Sequence, residues 1–488
     1  MKREISLDVL RGLAIIGMVL SGTISRNPDL PAWLFHAQIP PPDFSFNSNL
    51  PGITWVDLVF PFFLFSMGMA FPFSLNKMIS AGASKKRLIM RIISRALKLL
   101  FFAIMLGHLS PFHYPEELGW LRYLMGLLAF MGFFLAFARF PHFSTFEKQL
   151  NRIGYVLLIA LVIVRTQLFE LSFSIHNNDI IILVLANMAF FGALIWLFTR
   201  NNWYVRLGIL ALFFALRLTH GIDDSWNQML WNFTPFKWIA GIAPGLCNSL
   251  LTIGIDLNRT IFYHPEYLKY LMIVIPGTIA GDLIFGGQRE KATFRHHPGE
   301  KVFIVIAGIL FINICLNLWG LMSRRLDLVW IMNIISIVLL YKAMNRGSFR
   351  HLKNMRLILV WSMFWLLLGL VFEAYEGGIK KDSATISYFF LTSGLAGFSI
   401  VFFKIFEPIF RPSQLFGFIG QTGINPMAAY IAAAYCIMPL LYFAQLLPWM
   451  DQWHTHWHWA ALLRGITLTG LAVLLTVVTV KYKYYWKT

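Results

Sequence analysis

A chain of 488 residues is long enough for about three soluble domains, but 58% hydrophobic, 16% aromatic and only 13% charged content excludes them and indicates a polytopic membrane protein. The formal net charge of +18 is no argument for nucleic acid, because the Lys and Arg residues sit in short loops between apolar runs, where the positive-inside rule accounts for them. Cys247, Cys315 and Cys436 lie in apolar surroundings without CxxC spacing and read as small packed residues.

The expected fold is all-α, one transmembrane domain over residues 1–488 with about 11–14 helices and both termini cytoplasmic. Lys2, Arg3 and the apolar run after them imitate a signal peptide. Asp8 and Arg11 interrupt that run and no small-x-small cleavage site follows, so residues 5–24 are expected to stay as the first span. The loop 25–54 is then outside, the span 55–77 returns the chain to the basic Ser84-Lys-Lys-Arg87, and residues 88–109 cross again. Further spans are expected at 119–138, 153–171, 179–199 and 203–219. His220-Gly-Ile-Asp223-Asp224 falls outside and the basic stretch 288–297 inside, which allows one crossing or three between them. Of the two apolar candidates there, 267–286 is expected to span. Residues 239–257, weakened by Gly241, Pro244, Gly245 and Gly254, suit a re-entrant or broken segment. Spans at 302–322, 326–343, 356–375, 386–406, 421–447 and 460–481 bring the total to about fourteen. Ser323-Arg-Arg325 is basic yet assigned outside, against the rule.

His36 stands in the first outside loop, within Trp33-Leu-Phe-His36-Ala-Gln-Ile-Pro-Pro-Pro. A histidine there can serve as base or nucleophile near neutral pH; the plainer reading is an interfacial ring stacked among Trp33, Phe35 and the prolines. Thr54-x-x-Asp57 ahead of an apolar run matches a capping box, so Asp57 reads equally as a helix cap and as an orienting group for His36. Asp8 and Arg11, three residues apart on one helix face, suit a structural pair. With Arg91, Arg95 and Lys98 they also suit a basic vestibule for a phosphorylated ligand, snorkelling to anionic headgroups being the alternative. His108 and His113 fall on the side of His36. Asn425 and Tyr430, in Asn425-Pro-Met-Ala-Ala-Tyr430, break the start of an apolar helix with polar groups, as a buried binding site or a tolerated kink would. Three histidines at alternate positions in His454-Thr-His-Trp-His458 are expected to form an interfacial belt, and no metal is expected. Asp256 and Asp282 lie in or near the doubtful segment and read as buried acids or as loop residues.

Several of these stretches resemble a known family. Ser6-Leu-Asp8-Val-Leu-Arg11-Gly12, His36, Ile53-Thr-Trp-Val-Asp57-Leu-Val-Phe-Pro61 with Phe63 and Gly68, and Gly423-Ile-Asn425-Pro are similar to motifs of the transmembrane acyltransferases related to heparan-alpha-glucosaminide N-acetyltransferase. A bacterial branch of that family shares the His-Ala-Gln-x-Pro-Pro-Pro and Pro-Gly-Thr-Ile-Ala-Gly-Asp282 stretches. The motif-bearing region is 6–72. The chain departs from the lysosomal enzyme at Gly22, which replaces an asparagine, and at Ala129-Phe130, which replace a Gln-Arg pair. The resemblance implies acetyl-coenzyme A on the cytoplasmic side, an amino sugar or glycan on the other, and a loop histidine that takes or assists the acetyl group. His36 and Asp57 are then the expected catalytic pair, Asp8, Arg11, Arg91, Arg95 and Lys98 the coenzyme-binding set, and His108, Asn425 and Tyr430 the acceptor-binding set. The setting implied is a multi-pass protein of a bacterial inner membrane, with self-association as a homodimer left open. The alternative is a transporter or flippase for a sugar or lipid-linked glycan, with its site near residues 239–286 and no acyl transfer.

Overall fold

The computed structural model describes residues 4–235, 242–256, 259, 261–287, 301–410, 414–453 and 457–486. The long helices are α1 (Ile5–Thr23), α2 (Trp55–Ser80), α3 (Lys85–Leu109), α4 (Trp120–Phe137), α5 (Glu147–Leu168), α6 (Ile180–Thr199) and α7 (Trp203–Thr219). Two short helices follow, α8 (Trp226–Trp231) and α9 (Pro244–Thr252), then α10 (Leu271–Gly286), α11 (Lys301–Met322), α12 (Leu326–Met344), α13 (Lys353–Tyr375) and α14 (Ile386–Phe410). The last part holds α15 (Gln414–Ile424), α16 (Pro426–Ala432), a π-turn at Ala433–Ile437, α17 (Met438–Phe443), α18 (Leu446–Asp451) and α19 (Ala460–Lys481). Among the described residues, extended backbone pairs only at the bridge between Ala138 and Trp486.

Twelve helices among the described residues are long and apolar enough to cross a bilayer, and the protein is a multi-pass integral membrane protein. Two of the fourteen expected spans are not among them. In α3 the six cations Lys85, Lys86, Arg87, Arg91, Arg95 and Lys98 dilute the apolar run, and α7 is 17 residues long. In the doubtful stretch 239–257 the described helix α9 has nine residues, about 13 Å at 1.5 Å per residue, less than half of a hydrocarbon core about 30 Å thick. The expected span 421–447 is met by Pro426–Phe443, one of the twelve, which starts after a break at Asn425-Pro426 and contains the π-turn. The basic stretch 288–297 lies outside the described residues.

The chain forms two compact units. The first comprises Met1–Lys77, Ile273–Tyr430 and Met450–Val477. In it α1 and α15 touch backbone to backbone. A Cβ on Gly12 would lie 2.0 Å from the Ile419 carbonyl oxygen, and one on Gly423 would lie 1.9 Å from that of Asp8. Small residues permit such contact where lipid gives no hydrophobic drive for helices to associate. Polar side chains pin α11 to α12: Asn333 Nδ2 donates to Asn317 Oδ1 at 2.9 Å, and Asn313 Nδ2 to Asn333 Oδ1 at 2.9 Å, all three residues being buried. The Ser323-Arg-Arg325 exception also has its explanation here. Arg324 pairs with the buried Glu373 at 2.6 Å and Arg325 with Asp327 at 3.2 Å, so local acids neutralise both cations.

The second unit comprises Met78–Met272, Ile431–Trp449 and Val478–Thr488. Its core is aromatic, with Phe102 edge-on to Phe133 and Phe137 at 5.0 and 5.4 Å, and Phe137 stacked on Trp486 at 6.0 Å. Tyr435, in the π-turn, donates to the Leu106 carbonyl at 3.0 Å, which anchors this turn to α3. On α5, Ile153, Val156, Ile159 and Ile163 form an exposed apolar stripe, the face such a helix presents to lipid.

Candidate functional site

The loop after α1 is fixed from below. Ile24, Leu30, Leu34, Phe35 and Ala461 form a buried cluster, and Phe35 meets Phe44 edge-on at 4.8 Å. At the end of α1 the Thr23 hydroxyl lies 3.0 Å from that of Thr469, and Arg464 donates to the Thr23 carbonyl at 3.0 Å while holding Asp451 at 2.6 Å. The buried Gln38 donates to the carbonyls of Leu50 and Gly52, which closes the loop on itself. His36 therefore sits on an apolar floor in a cross-braced loop, with 30% of its side chain exposed.

His36 Nδ1 lies 2.6 Å from Asp57 Oδ1, and the Asp57 side chain is fully buried. A carboxylate oxygen only accepts, so Nδ1 carries the hydrogen and Nε2 presents its lone pair in the neutral ring. The other carboxylate oxygen accepts from Thr54 N at 2.9 Å and Ala37 N at 3.3 Å. Half of the expected capping box is present. The Asp57 carboxylate reaches back to Thr54 N, whereas the Thr54 hydroxyl donates to the Phe35 carbonyl at 2.7 Å and so holds the residue next to His36. Among the described residues no aromatic ring stacks on His36. Asp57 is thus cap and orienting group at once.

A second loop, 376–385, meets the first and was not legible as part of the site. Gly52 N donates to the Ile379 carbonyl at 2.8 Å. Both chains need glycine there: Gly52 has φ +131°, and a Cβ on Gly378 (φ +109°) would lie 2.3 Å from Pro51 Cβ. Glu376 caps α14 by accepting from Ile386 N and Ser387 N, each at 2.8 Å, and the Thr385 hydroxyl donates to the Lys380 carbonyl at 3.1 Å. This folded loop sets Lys381 Nζ 3.2 Å from His36 Nδ1 and 3.3 Å from Nε2, and 3.9 Å from Asp382. From α14, the fully buried Tyr388 donates to the Asp57 carbonyl at 2.7 Å. Pro61, four residues after Asp57, has no N–H to give that carbonyl, and the tyrosine supplies the missing donor.

The other expected site residues fall elsewhere. In the first unit Asp8 is buried on α1 and Arg11 donates to the Ser66 carbonyl at 3.5 Å. Asn425 is buried at the break between α15 and α16, close to the Asp8 turn, with Tyr430 half-buried one turn on. His36 is in the loop beyond the other end of α1, whose last residue, Thr23, is roughly 22 Å along the helix axis from Asp8. In the second unit Arg91, Arg95 and Lys98 follow one face of α3, Arg91 exposed and the other two half-buried. Lys98 lines a groove of about 370 Å³ with Leu97, Phe101 and Tyr155. His108 is fully buried: Nε2 donates to the Ser174 carbonyl at 2.9 Å, and the ring stacks on Phe173 at 4.8 Å, a packing role. Of the His454-Thr-His-Trp-His458 run, His454 and His456 lie outside the described residues, among which no group of three or more His, Cys, Asp or Glu could hold a metal ion.

The model of a family described as a domain of unknown function (DUF5009) matches residues 3–284, more than half of the chain, and the chain belongs to that family. The match includes both His36 and Asp57 and ends before the Lys381 loop. No curated protein matches the chain.

Proposed function

We propose that this DUF5009 member is a membrane acyltransferase that moves an acetyl group from acetyl-coenzyme A to the amine or hydroxyl of an extracytoplasmic amino sugar or glycan, in a bacterial inner membrane. The observation that carries the reading is the 2.6 Å contact between His36 Nδ1 and the buried Asp57 carboxylate, which orients one imidazole and leaves its Nε2 to take a proton. When bound, acetyl-coenzyme A supplies an activated thioester carbonyl. His36 Nε2 removes the proton from the acceptor as it attacks the thioester carbonyl, Asp57 stabilises the imidazolium formed, and as the C–S bond breaks that proton passes from Nε2 to the departing coenzyme thiolate. Lys381 adds a positive charge beside the ring to offset charge developing on oxygen. Three cations on one face of α3, Arg91, Arg95 and Lys98, are the kind of donor set that phosphates require, and they would hold those of the coenzyme.

The test uses the purified full chain in lipid nanodiscs, acetyl-coenzyme A and a panel of amino sugars. His36→Ala should lower acetyl transfer about 10²- to 10⁴-fold while acetyl-coenzyme A still binds. Undiminished transfer in that variant would remove the mechanism. Incubation with labelled acetyl-coenzyme A and no acceptor separates two uses of Nε2, since label retained on His36 means that the ring carries the acetyl group itself.

A further inference from the structure

The second unit has a polar, partly open pocket of about 380 Å³ that the proposed transfer does not use. Its polar lining is His176, Asn178, Thr234, Arg259, His264 and Tyr267, every one of them within that unit. The volume falls in the range of small-molecule sites, about 300–1,000 Å³.

The hydrogen bonds already made fix what the lining has left to offer. His176 Nε2 donates to the Asp256 carbonyl at 3.2 Å, so its Nδ1 is an acceptor. His264 Nδ1 accepts from Glu266 N at 3.2 Å, so its Nε2–H is a donor. Burial holds both imidazoles below the usual histidine pKa and thus neutral, against opposing pulls from the Asp256 carbonyl on His176 and from Glu266 on His264. Asn178 spends one amide hydrogen on the Ile175 carbonyl at 3.0 Å and keeps its oxygen and the other hydrogen. The Thr234 hydroxyl oxygen is buried and has no hydrogen-bond partner in the fold, a loss that a bound ligand would make good. Arg259 adds a guanidinium. Asp256, whose carbonyl holds His176, is not part of the lining, and Glu266 is paired with Lys269 at 2.5 Å.

From this lining we infer that the second unit carries a binding site for a small hydroxylated anion, a sugar phosphate or a sugar acid. Neutral donors and acceptors in alternation match hydroxyl groups, each of which both gives and takes a hydrogen bond, and the guanidinium matches one phosphate or carboxylate. A bare inorganic anion would leave the neutral groups unused, and an uncharged sugar would make no use of the exposed Arg259 guanidinium. The site stands apart from the acetyl-transfer reading and survives its failure.

Binding is measured on the full chain in nanodiscs by calorimetry, with glucose 6-phosphate and gluconate as probes and glucose and inorganic phosphate as controls. One of the two probes should saturate below about 10 mM and bind at least about tenfold more tightly than either control. Whichever probe wins tells the phosphate from the carboxylate. Arg259→Met should weaken that probe at least about tenfold, as loss of a charged hydrogen bond does, and Thr234→Val about three- to tenfold. The valine removes a hydroxyl that bonds nothing in the fold, so its thermal midpoint should not fall, which keeps the test valid if the arginine variant folds poorly. No saturable binding by either probe, equal binding of glucose and the winning probe, or a Thr234→Val protein that binds like wild type would each overturn the inference.

Discussion

Asp57→Asn separates orientation from packing at the His36 centre. Asp57 Oδ2 faces two backbone donors, Thr54 N and Ala37 N, while Oδ1 faces His36 alone. An asparagine will therefore place its oxygen toward the two backbone N–H groups and its NH₂ toward His36 Nδ1. Two donors cannot face each other at 2.6 Å, and the imidazole resolves the clash by moving its hydrogen to Nε2. Every buried group then keeps a partner, so the stability cost is expected to be only about 1 kcal/mol, that of exchanging a charged for a neutral hydrogen bond. Chemistry suffers far more, because the hydrogen now occupies the atom that must accept one. Turnover should fall about 10²- to 10⁴-fold, about 2.7–5.5 kcal/mol in barrier. Asp57→Ala should reverse the balance of costs: it strands Thr54 N in a residue only 2% exposed and should lower stability by about 1–3 kcal/mol. The assays are acetyl transfer to amino sugars, thermal unfolding in nanodiscs, and nitrogen NMR of labelled histidine, which reads the tautomer. An Asp57→Asn protein within about threefold of wild-type turnover, well inside the effect expected of a general base, would refute the reasoning, as would an unchanged His36 tautomer.

Three other perturbations test the frame around this centre. Tyr388→Phe leaves the Asp57 carbonyl without the donor that Pro61 cannot supply, and should lower stability by about 1–3 kcal/mol with a visible fall in the thermal midpoint. Gly423→Ala puts a Cβ 1.9 Å from the Asp8 carbonyl oxygen, so α1 and α15 must part; a loss of about 1–3 kcal/mol or more, read as unfolding at lower temperature, is expected, and a wild-type midpoint would contradict the close crossing. Arg324→Met strands the buried Glu373 carboxylate at a cost of about 3 kcal/mol, and adding Glu373→Leu should restore most of it, since both charges are then gone.

What the sequence made legible was what short-range chemistry dictates. Apolar run length located the spans, and Thr54-x-x-Asp57 announced a capped helix start, because both signals lie within a few residues of each other. The contact between His36 and Asp57 was within reach because one loop of modest length separates them. Lys381 and Tyr388 were out of reach: they approach across more than 300 residues, and no local pattern says which late loop a glycine at position 52 will meet. The breaks at Asn425 and the π-turn were half visible, as polar residues in an apolar run, but their geometry is set by packing on α1 and α3.

Two basic clusters, Ser323-Arg-Arg325 and Lys380-Lys381, belong to one construction. Arg324 is held by Glu373 at the end of α13, three residues before Glu376 caps α14, and the loop so braced carries Lys381 to the His36 ring. Gly378 packs its backbone on Pro51 and lies 3.6 Å, from a Cβ position, to Arg324 Nη1. The positive-inside rule works as a statistic because most loop cations have no local partner and topology alone decides their side. Here Arg324 is matched by a buried acid, and Lys381 stands 3.2 and 3.3 Å from the two nitrogens of an imidazole whose Nδ1 is held by a carboxylate. Both cations are thereby fixed by packing within the first unit, Arg324 through Glu373 and Lys381 through the loop that Glu376 closes onto α14.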